Sequence, residues 1–261
     1  MICKVCSGES QPLGKARILF KYDIDYFRCG NCGFVQTEKP YWLKEAYADA
    51  INHTDVGVVR RCIELGRMLR VMIPLIADPG KRFIDYGGGY GMLVRLMRDE
   101  GFDYYWHDAH CENLFAQDFE AERGTKYEML TAFEVLEHIE NPREGLNEML
   151  EFSDMVLLST YVLPEPCPRP DEWWYYGLDH GQHISLHTLA SLSTLAAGVG
   201  ARVYSNGQSM HLITRKPVSA RRFGFALGKR AGWLAPFFKR KSLLQDDFAY
   251  SIQRQTNKAA S

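Results

Sequence analysis

The feature that most constrains this chain is the glycine-rich run Asp85-Tyr-Gly-Gly-Gly-Tyr-Gly91. Arg82–Tyr86 has the pattern of a strand and Met92–Glu100 that of a helix, so the run predicts a tight turn between them. Glycine permits conformations closed to other residues, and such a turn brings backbone N–H groups close to a ligand. The dinucleotide fingerprint G-x-G-x-x-G fails because Met92 stands where a third glycine is required, which argues against NAD.

Strand and helix patterns alternate after this turn, and alternation at this interval predicts an α/β fold with a parallel sheet and crossover helices. The predicted strands are Asp103–His107, a short one near Phe119, Tyr127–Phe133, Met155–Thr160 and a final hairpin of Ala201–Ser205 and Met210–Arg215; the predicted helices are Pro142–Glu151 and Thr188–Ala197. Apolar residues at helical spacing predict one long lead-in helix over Ala46–Ile76.

Four cysteines form two close pairs, Cys3-x-x-Cys6 and Cys29-x-x-Cys32. A two-residue spacer lets both sulfurs of a pair reach one ion, and four thiolates suit Zn²⁺ in a closed structural site. Ile18 to Arg28, between the pairs, suits a short hairpin. We therefore predict a zinc ribbon whose metal staples a segment too small to have its own core.

The glycine run and its surroundings resemble the class I S-adenosylmethionine (SAM)-dependent methyltransferases. The resemblance implies a Rossmann-like, seven-stranded sheet with an antiparallel edge, and SAM as cofactor. It places Asp85, Gly87, Gly88, Gly89 and Gly91 around the methionine end of SAM.

Two further segments resemble the same family. Asp108 follows the second strand, where these enzymes place an acidic residue on the ribose hydroxyls, and a carboxylate can accept from both. The block Thr131-Ala-Phe-Glu-Val-Leu-Glu-His138 is similar to their fourth-strand segment, which puts Phe133 and Glu134 at the methionine end. A solvated helix start is the alternative for the charged residues of that block.

Gly181-Gln-His-Ile-Ser-Leu-His187 resembles a segment of bacterial sugar methyltransferases in which the histidine is a candidate base, and some of those enzymes also carry a Cys-x-x-Cys module. By that match His183 is the first candidate base, with His180 and His138 behind it. A neutral histidine suits removal of a hydroxyl proton. Alternatively, His183 only caps a helix or bonds a backbone carbonyl, or His180, His183 and His187 bind a metal.

A long segment, Tyr161 to Leu186, separates the fifth strand from the next helix, where a substrate cap would lie. Its run Glu172-Trp-Trp-Tyr-Tyr176 suits contact with a sugar ring, or equally anchoring of the loop to the core. Alternate prolines exclude a helix across it.

Charge is distributed unevenly, because Arg215 to Lys241 contains nine Lys or Arg and no Asp or Glu, whereas the whole chain has a net charge of −1. The remainder is acidic, which argues against nucleic acid as a partner of the main domain. Basic and aromatic residues together suit contact of residues 217–244 with an anionic membrane; packing on the chain's own surface or on a partner subunit is the alternative. The last dozen residues are predicted to be frayed.

The 261 residues, 46% of them hydrophobic, suffice for one α/β core with a small extra module. No apolar signal region or membrane span is visible, so we expect a cytoplasmic protein, with peripheral membrane contact through the tail. The predicted domains are a zinc ribbon (1–40), a lead-in helical segment (41–80), a SAM-binding domain (81–216, with a cap loop at 161–187) and a basic aromatic tail (217–261).

Together these features predict a SAM-dependent methyltransferase that O-methylates a sugar hydroxyl in glycan or nucleotide-sugar metabolism, with a small molecule or a glycan as acceptor. Two alternatives stay open. One is an RNA methyltransferase whose ribbon and tail hold the phosphate backbone. The other is a non-catalytic scaffold that keeps the fold and tethers glycan-assembly proteins.

Overall fold

The computed structural model describes residues 1–48 and 54–260. The backbone divides into two compact units, a first unit of residues 1–56 and 131–217 and a second unit of residues 57–130 and 218–261. The strands are β1 (Ser10–Ile18), β2 (Tyr22–Cys29), β3 (Val35–Thr37), β4 (Arg82–Tyr86), β5 (Asp103–His107), β6 (Met129–Phe133), β7 (Met155–Ser159), β8 (Ser185–Leu186), β9 (Arg202–Ser205) and β10 (Met210–Thr214). The helices are α1 (Leu43–Ala46), α2 (Val58–Ile76), α3 (Met92–Asp99), α4 (Pro142–Phe152), α5 (Leu189–Gly198), α6 (Ala220–Ala226) and α7 (Leu244–Ala260), with 3₁₀ segments at Leu136–His138, Trp174–Tyr176 and Lys229–Phe238.

A mixed sheet of six strands has the order β5-β4-β6-β7-β10-β9. β4 and β5 are parallel, whereas β10 runs antiparallel to both β7 and β9. The predicted α/β fold and its antiparallel edge are confirmed. The described residues form six strands in this sheet rather than seven, because near Phe119 only an isolated bridge between Trp106 and Glu120 forms.

Local chemistry explains where several elements begin and end. Thr188 caps α5 by accepting a hydrogen bond from the Ser191 N–H, and the Ser191 hydroxyl accepts one from the Thr188 N–H, which is a capping box. In the turn between β9 and β10, the Asn206 side-chain oxygen accepts bonds from the N–H groups of residues 208 to 210. Because these bonds join residues close in sequence, the ends of these elements can be predicted from the sequence.

The lead-in segment differs from the single helix predicted over Ala46–Ile76. The structure has the short α1 (Leu43–Ala46) and then α2 (Val58–Ile76), and residues 49–53 lie outside the described residues. α2 buries Leu69, Met72 and Ile73, which belong to the predicted apolar stripe.

In the first unit, a four-stranded sheet of order β1-β2-β3-β8 carries the cysteine module. The β1–β2 hairpin confirms the hairpin predicted between the two cysteine pairs. Its core contains the fully buried Ile18, Ile24, Tyr26 and Trp42, together with Tyr176 from the cap loop.

The four cysteines of the two pairs converge. Sulfur atoms of Cys3 and Cys32 lie 3.7 Å apart, those of Cys6 and Cys29 lie 3.4 Å apart, and all four lie within 4.8 Å of one another. Burial alone would raise the pKa of the Cys29 thiol, but the backbone N–H groups of Cys32 and Asn31 outweigh burial and lower that pKa to about 7. The thiolate is the ligand form, so the cluster suits a thiophilic ion such as Zn²⁺.

The carboxyl-terminal residues form a helix, and the prediction that they are frayed was wrong. α7 is held in the second unit by Asp247, whose carboxylate accepts two bonds from the Arg98 guanidinium at 2.9 and 2.7 Å. Both side chains are buried, and Arg98 also donates to Asp103. A planar guanidinium matches a carboxylate in this two-point geometry, which fixes orientation as well as distance. Among the described helices, none combines the length and apolar character needed to cross a membrane.

The cysteine cluster generates a prediction about metal removal. We expect the purified chain to carry one zinc ion, and we expect chelation or Cys29→Ser/Cys32→Ser to lower the melting temperature, because the ribbon loses its staple. Metal analysis beside thermal denaturation measures both. Cys62→Ser, outside the cluster, is the control and should keep the metal. Loss of activity on chelation without a change in melting temperature would contradict a purely structural role.

Candidate active site

The glycine turn in the second unit connects β4 to α3. Gly87, Gly89 and Gly91 all have left-handed backbone conformations, with φ of 69°, 54° and 85°. L-residues with a Cβ rarely adopt such angles, so the turn depends on glycine at alternate positions.

Two of these glycines are required for different reasons. A Cβ on Gly91 would lie 2.7 Å from the Asn113 side-chain oxygen, so packing excludes any side chain there. Around Gly89, no heavy atom lies within 4 Å of the position that a Cβ would take. Gly89 therefore leaves open space beside the turn, in which a ligand can approach the backbone closely.

The backbone N–H groups of the turn are hydrogen bonded within the protein, although we expected them to lie close to a ligand. Those of Gly87 and Gly88 donate to the His107 carbonyl oxygen at 2.8 and 3.2 Å, and that of Gly89 donates to an Asp108 carboxylate oxygen at 2.9 Å. These donors link the turn to the end of β5, so they are not available to a ligand in this conformation. The turn therefore offers its bare surface, whereas from the sequence we expected its backbone N–H groups to lie close to a ligand.

Asp108 lies beside the turn, as the resemblance implied. Its carboxylate accepts from Gly89 and also from the N–H groups of His110 and Cys111, at 2.7 and 2.9 Å. A carboxylate has about four acceptor positions, so at least three are filled and no more than one remains for a ribose hydroxyl. Asp85 is buried at the end of β4, and the Trp106 indole donates to the Gly89 carbonyl oxygen at 2.7 Å, which further fixes the turn.

In the first unit, a separate polar cluster follows β6. Glu134 has a left-handed backbone with φ of 54°, an uncommon conformation for a non-glycine residue and one that surrounding contacts must hold. The Ser159 hydroxyl donates to a Glu134 carboxylate oxygen at 2.6 Å and accepts from the Glu134 N–H at 2.9 Å. Phe133, just before it, is half-buried. Backbone strain of this kind concentrates at functional sites.

Glu137 is fully buried in the 3₁₀ segment Leu136–His138. One carboxyl oxygen accepts a very short hydrogen bond from the Tyr175 hydroxyl, and the other has no hydrogen-bond partner among the described residues. Burial, and then the charge of Glu134, raise the pKa of Glu137 well above its ordinary value. Burial thus favours the protonated form of Glu137, and a solvated helix start is the wrong interpretation of this buried residue.

His183 lies against this carboxyl group and is 9% exposed. Its Nδ1 hydrogen bonds to the Tyr175 carbonyl oxygen, so Nδ1–H is the donor and Nε2 is the acceptor nitrogen. Burial, and then the neighbouring His180, lower the pKa of His183 to about 3, so the ring is neutral at physiological pH.

The three histidines predicted as candidate bases lie together. The ring centre of His183 lies 5.0 Å from that of His138 and 4.8 Å from that of His180. Ligand atoms of Glu137, His138 and His183 lie within 4.8 Å of one another, a spacing that could hold a small cation between them. His187 is bonded instead through Nδ1 to the Ser191 hydroxyl at 3.3 Å.

Tyr175 is the site residue that the sequence did not single out. Its hydroxyl donates to Glu137, its carbonyl accepts from His183, and its ring centre lies 4.5 Å from that of His183. The sequence shows the aromatic run of the cap loop, but it does not indicate which of the rings points inward. Tyr175 and Tyr176 are buried and anchor the loop, whereas Trp174 is 69% exposed. The two interpretations of this run therefore apply to different residues.

Buried titratable groups predict how stability depends on pH. Burial lowers the pKa of His180, His183, His187 and His211, so the unfolded chain binds more protons below about pH 6.5 and stability rises with pH up to there. Glu137 has the opposite effect on the pH dependence of stability, because its carboxyl group keeps a proton in the folded chain that it has lost in the unfolded chain.

Glu137 therefore makes stability fall with rising pH, by at most roughly 1.4 kcal/mol per pH unit, between its ordinary pKa and the raised pKa. Urea unfolding between pH 6.5 and 8.5 measures this slope. We expect Glu137→Gln to remove most of it and the exposed Glu151→Gln to leave it unchanged. Parallel slopes for the Glu137 variant and the wild type would show that Glu137 is ionised in the folded chain.

Several solved methyltransferase structures are similar to the chain. Magnesium protoporphyrin IX methyltransferase from Synechocystis PCC 6803, with bound S-adenosylhomocysteine (SAH), is 14% identical with a TM-score of 0.44, over 66% of this chain and 92% of that one. CalO1, a methyltransferase in calicheamicin biosynthesis, is 15% identical with a TM-score of 0.43, over 66% and 60%. The mitomycin 7-O-methyltransferase MmcR is 14% identical with a TM-score of 0.44, over 67% and 60%. These similarities assign neither a substrate nor a site residue to this chain.

The sequence itself gives a direct family assignment. No curated protein matches the chain. The family model of the methyltransferase domain matches residues 63–206, more than half of the chain, and this region includes the glycine turn, Asp108 and the Glu137 cluster. The chain therefore belongs to the methyltransferase domain family and is a SAM-dependent methyltransferase.

Proposed function

We propose that this enzyme O-methylates a hydroxyl group of a carbohydrate, in glycan or nucleotide-sugar metabolism. The observation that carries the proposal is His183, a neutral buried imidazole whose Nδ1–H is bonded to the Tyr175 carbonyl. Nε2 is left as a proton acceptor inside a cluster without a cationic side chain. A hydroxyl acceptor needs such a group, because it must lose its proton as the new bond forms.

The cofactor-binding residues of the proposal are Asp85, the glycine turn and Asp108, with Phe133 and Glu134. The fit to SAM rests on the open space beside Gly89 and on the Asp108 carboxylate next to it, which has at most one free acceptor position. When bound, SAM supplies a methyl group already activated by a sulfonium. The rate of transfer therefore depends mainly on how the methyl group and the acceptor oxygen are positioned.

In this proposal, His183 in the polar cluster of the first unit removes the proton from the acceptor hydroxyl. As the acceptor oxygen gains the methyl group, its proton becomes strongly acidic, so a base as weak as His183 suffices to take it at Nε2. The Tyr175 carbonyl holds the ring and stabilises the imidazolium through the Nδ1–H bond. Glu137, kept neutral by burial, adds no competing charge.

The carbohydrate class is supported by two features besides the resemblance of the His183 segment. His180 and His183, whose pKa values burial lowers, are uncharged hydrogen-bonding groups of the cluster, the chemistry that matches hydroxyls. The exposed Trp174 offers a flat apolar face beside it in the chain, a surface on which the C–H face of a sugar ring can pack.

Gly89→Arg tests the cofactor assignment. The arginine side chain would occupy the open space beside the turn and would also force a left-handed conformation on a residue with a Cβ. We expect calorimetry to show loss of SAH binding. Gly124→Arg is a matched control, because Gly124 is also left-handed with φ of 84° and open surroundings. If both variants bind SAH like the wild type, the turn is not the cofactor site.

His183→Ala tests the base. We expect SAH affinity to stay unchanged and SAH formation with a carbohydrate acceptor to fall roughly 10²–10⁴-fold, the usual contribution of a general base. His187→Ala, which removes another buried histidine, controls for damage to the core. Turnover by the His183 variant at the wild-type rate would refute the assignment.

A further inference from the structure

The segment Ala220–Lys239 of the second unit combines positive charge with exposed aromatic rings. Nine of the 31 Lys and Arg lie between residues 215 and 241, together with none of the 32 Asp and Glu. The rest of the chain therefore carries 22 cations against 32 anions. Positive charge is therefore concentrated in this one stretch of the sequence, and the rest of the sequence is acidic.

Part of the segment packs on its own unit. α6 and the 3₁₀ segment Lys229–Phe238 both contact α2, and Phe223, Ala226 and Ala231 are buried. Packing on the chain's own surface, one of the alternatives for the tail, therefore accounts for these apolar residues.

Other aromatic residues of the same segment point outward. Trp233 is 80% exposed, Phe237 is 82% exposed and Phe225 is 44% exposed. Large apolar side chains this exposed, gathered in one stretch, mark an interaction site on a folded protein. With the exposed Arg221, Arg222, Lys229, Arg230 and Lys239 they form what we term the basic aromatic surface.

The cations of this surface have no ion pair among the described residues. Nearby, Lys241 pairs with Asp246 and Arg240 donates to the Gly101 carbonyl oxygen, so neither is counted in the surface. The five exposed cations near three exposed rings thus lack a compensating anion among the described residues. The positive charge of this surface favours an anionic partner, and its exposed aromatic rings favour a partner that has an apolar layer.

We propose that the basic aromatic surface binds an anionic lipid bilayer, with Trp233 and Phe237 inserted at the headgroup level. Helical segments with Lys and Arg on one side and Trp or Phe on the other lie in this way in the interface. Each basic residue near an anionic leaflet contributes to binding, and Trp is favoured at the boundary between water and hydrocarbon. The acidic remainder of the chain is repelled by the same leaflet, which orients the protein.

A nucleic acid is the competing polyanion. Proteins that stack bases on aromatic rings typically present those rings on a sheet or in a groove. Here the rings stand on α6 and on the 3₁₀ segment, both packed on α2. A bilayer is therefore the better match, and RNA serves as an arm of the test.

The test is co-sedimentation of the whole chain with vesicles of phosphatidylcholine alone and of phosphatidylcholine mixed with phosphatidylserine, without SAM or acceptor. It does not depend on the proposed function, since binding is read without turnover. We expect binding only to the mixed vesicles, weakened by high salt.

Two variants separate charge from insertion. Lys229→Gln/Arg230→Gln should weaken partitioning roughly thirtyfold, and Trp233→Ala/Phe237→Ala roughly tenfold or more. Their controls are Lys44→Gln/Arg67→Gln, which removes two exposed cations elsewhere, and Phe20→Ala, which removes a ring that is 83% exposed. Neither control should change binding.

Three outcomes would overturn the proposal. The first is no sedimentation with the mixed vesicles. The second is binding that the surface variants and their controls reduce equally. The third is displacement of the protein from mixed vesicles by poly(U) RNA at equal phosphate concentration, which would identify the surface as a nucleic-acid site.

Discussion

The hydrogen bond from Tyr175 to the buried carboxyl group of Glu137 is the constraint on which the polar cluster after β6 depends. A carboxyl group without solvent exposure is tolerated only if it is neutral and bonded, or paired with a cation. Here burial keeps it neutral, and Tyr175 supplies the bond. The same residue's carbonyl fixes the tautomer of His183, so one cap-loop residue determines both the protonation and the orientation of the candidate base.

The glycine turn differs from a phosphate-binding loop in the groups that it offers to a ligand. Its N–H groups are satisfied by the end of β5 and by Asp108, so they give the turn a fixed shape and leave no array of donors for an anion. SAM carries a sulfonium and a zwitterionic methionine end, and a donor array is not what such a ligand chiefly requires. A carboxylate acceptor such as the half-buried Asp108 and a surface without side chains would suit it better, which agrees with the lack of the dinucleotide fingerprint in the sequence.

Most of the α/β architecture could be predicted because its signals are local. Glycines at the turn, Asn206-Gly207 in the edge hairpin and the cysteine pairs act within a few residues of themselves. The errors concern distant contacts. The last dozen residues were predicted to be frayed, but α7 extends through Ala260, and the bond between Arg98 and Asp247 that holds this helix joins residues about 150 positions apart in sequence. The inward position of Tyr175, likewise, follows from the burial of Glu137 across the cap loop, which no spacing rule reveals.

The central claim is that the methyl group of SAM is transferred to a carbohydrate oxygen. The most direct measurement is incubation of the zinc-loaded enzyme with ¹³C-methyl-labelled SAM and a panel of sugars, nucleotide sugars and glycans, followed by ¹³C NMR of the products. We expect a new signal in the O-methyl region that is absent without enzyme. A labelled methyl group bonded to nitrogen or carbon, or label appearing only in added RNA, would contradict it.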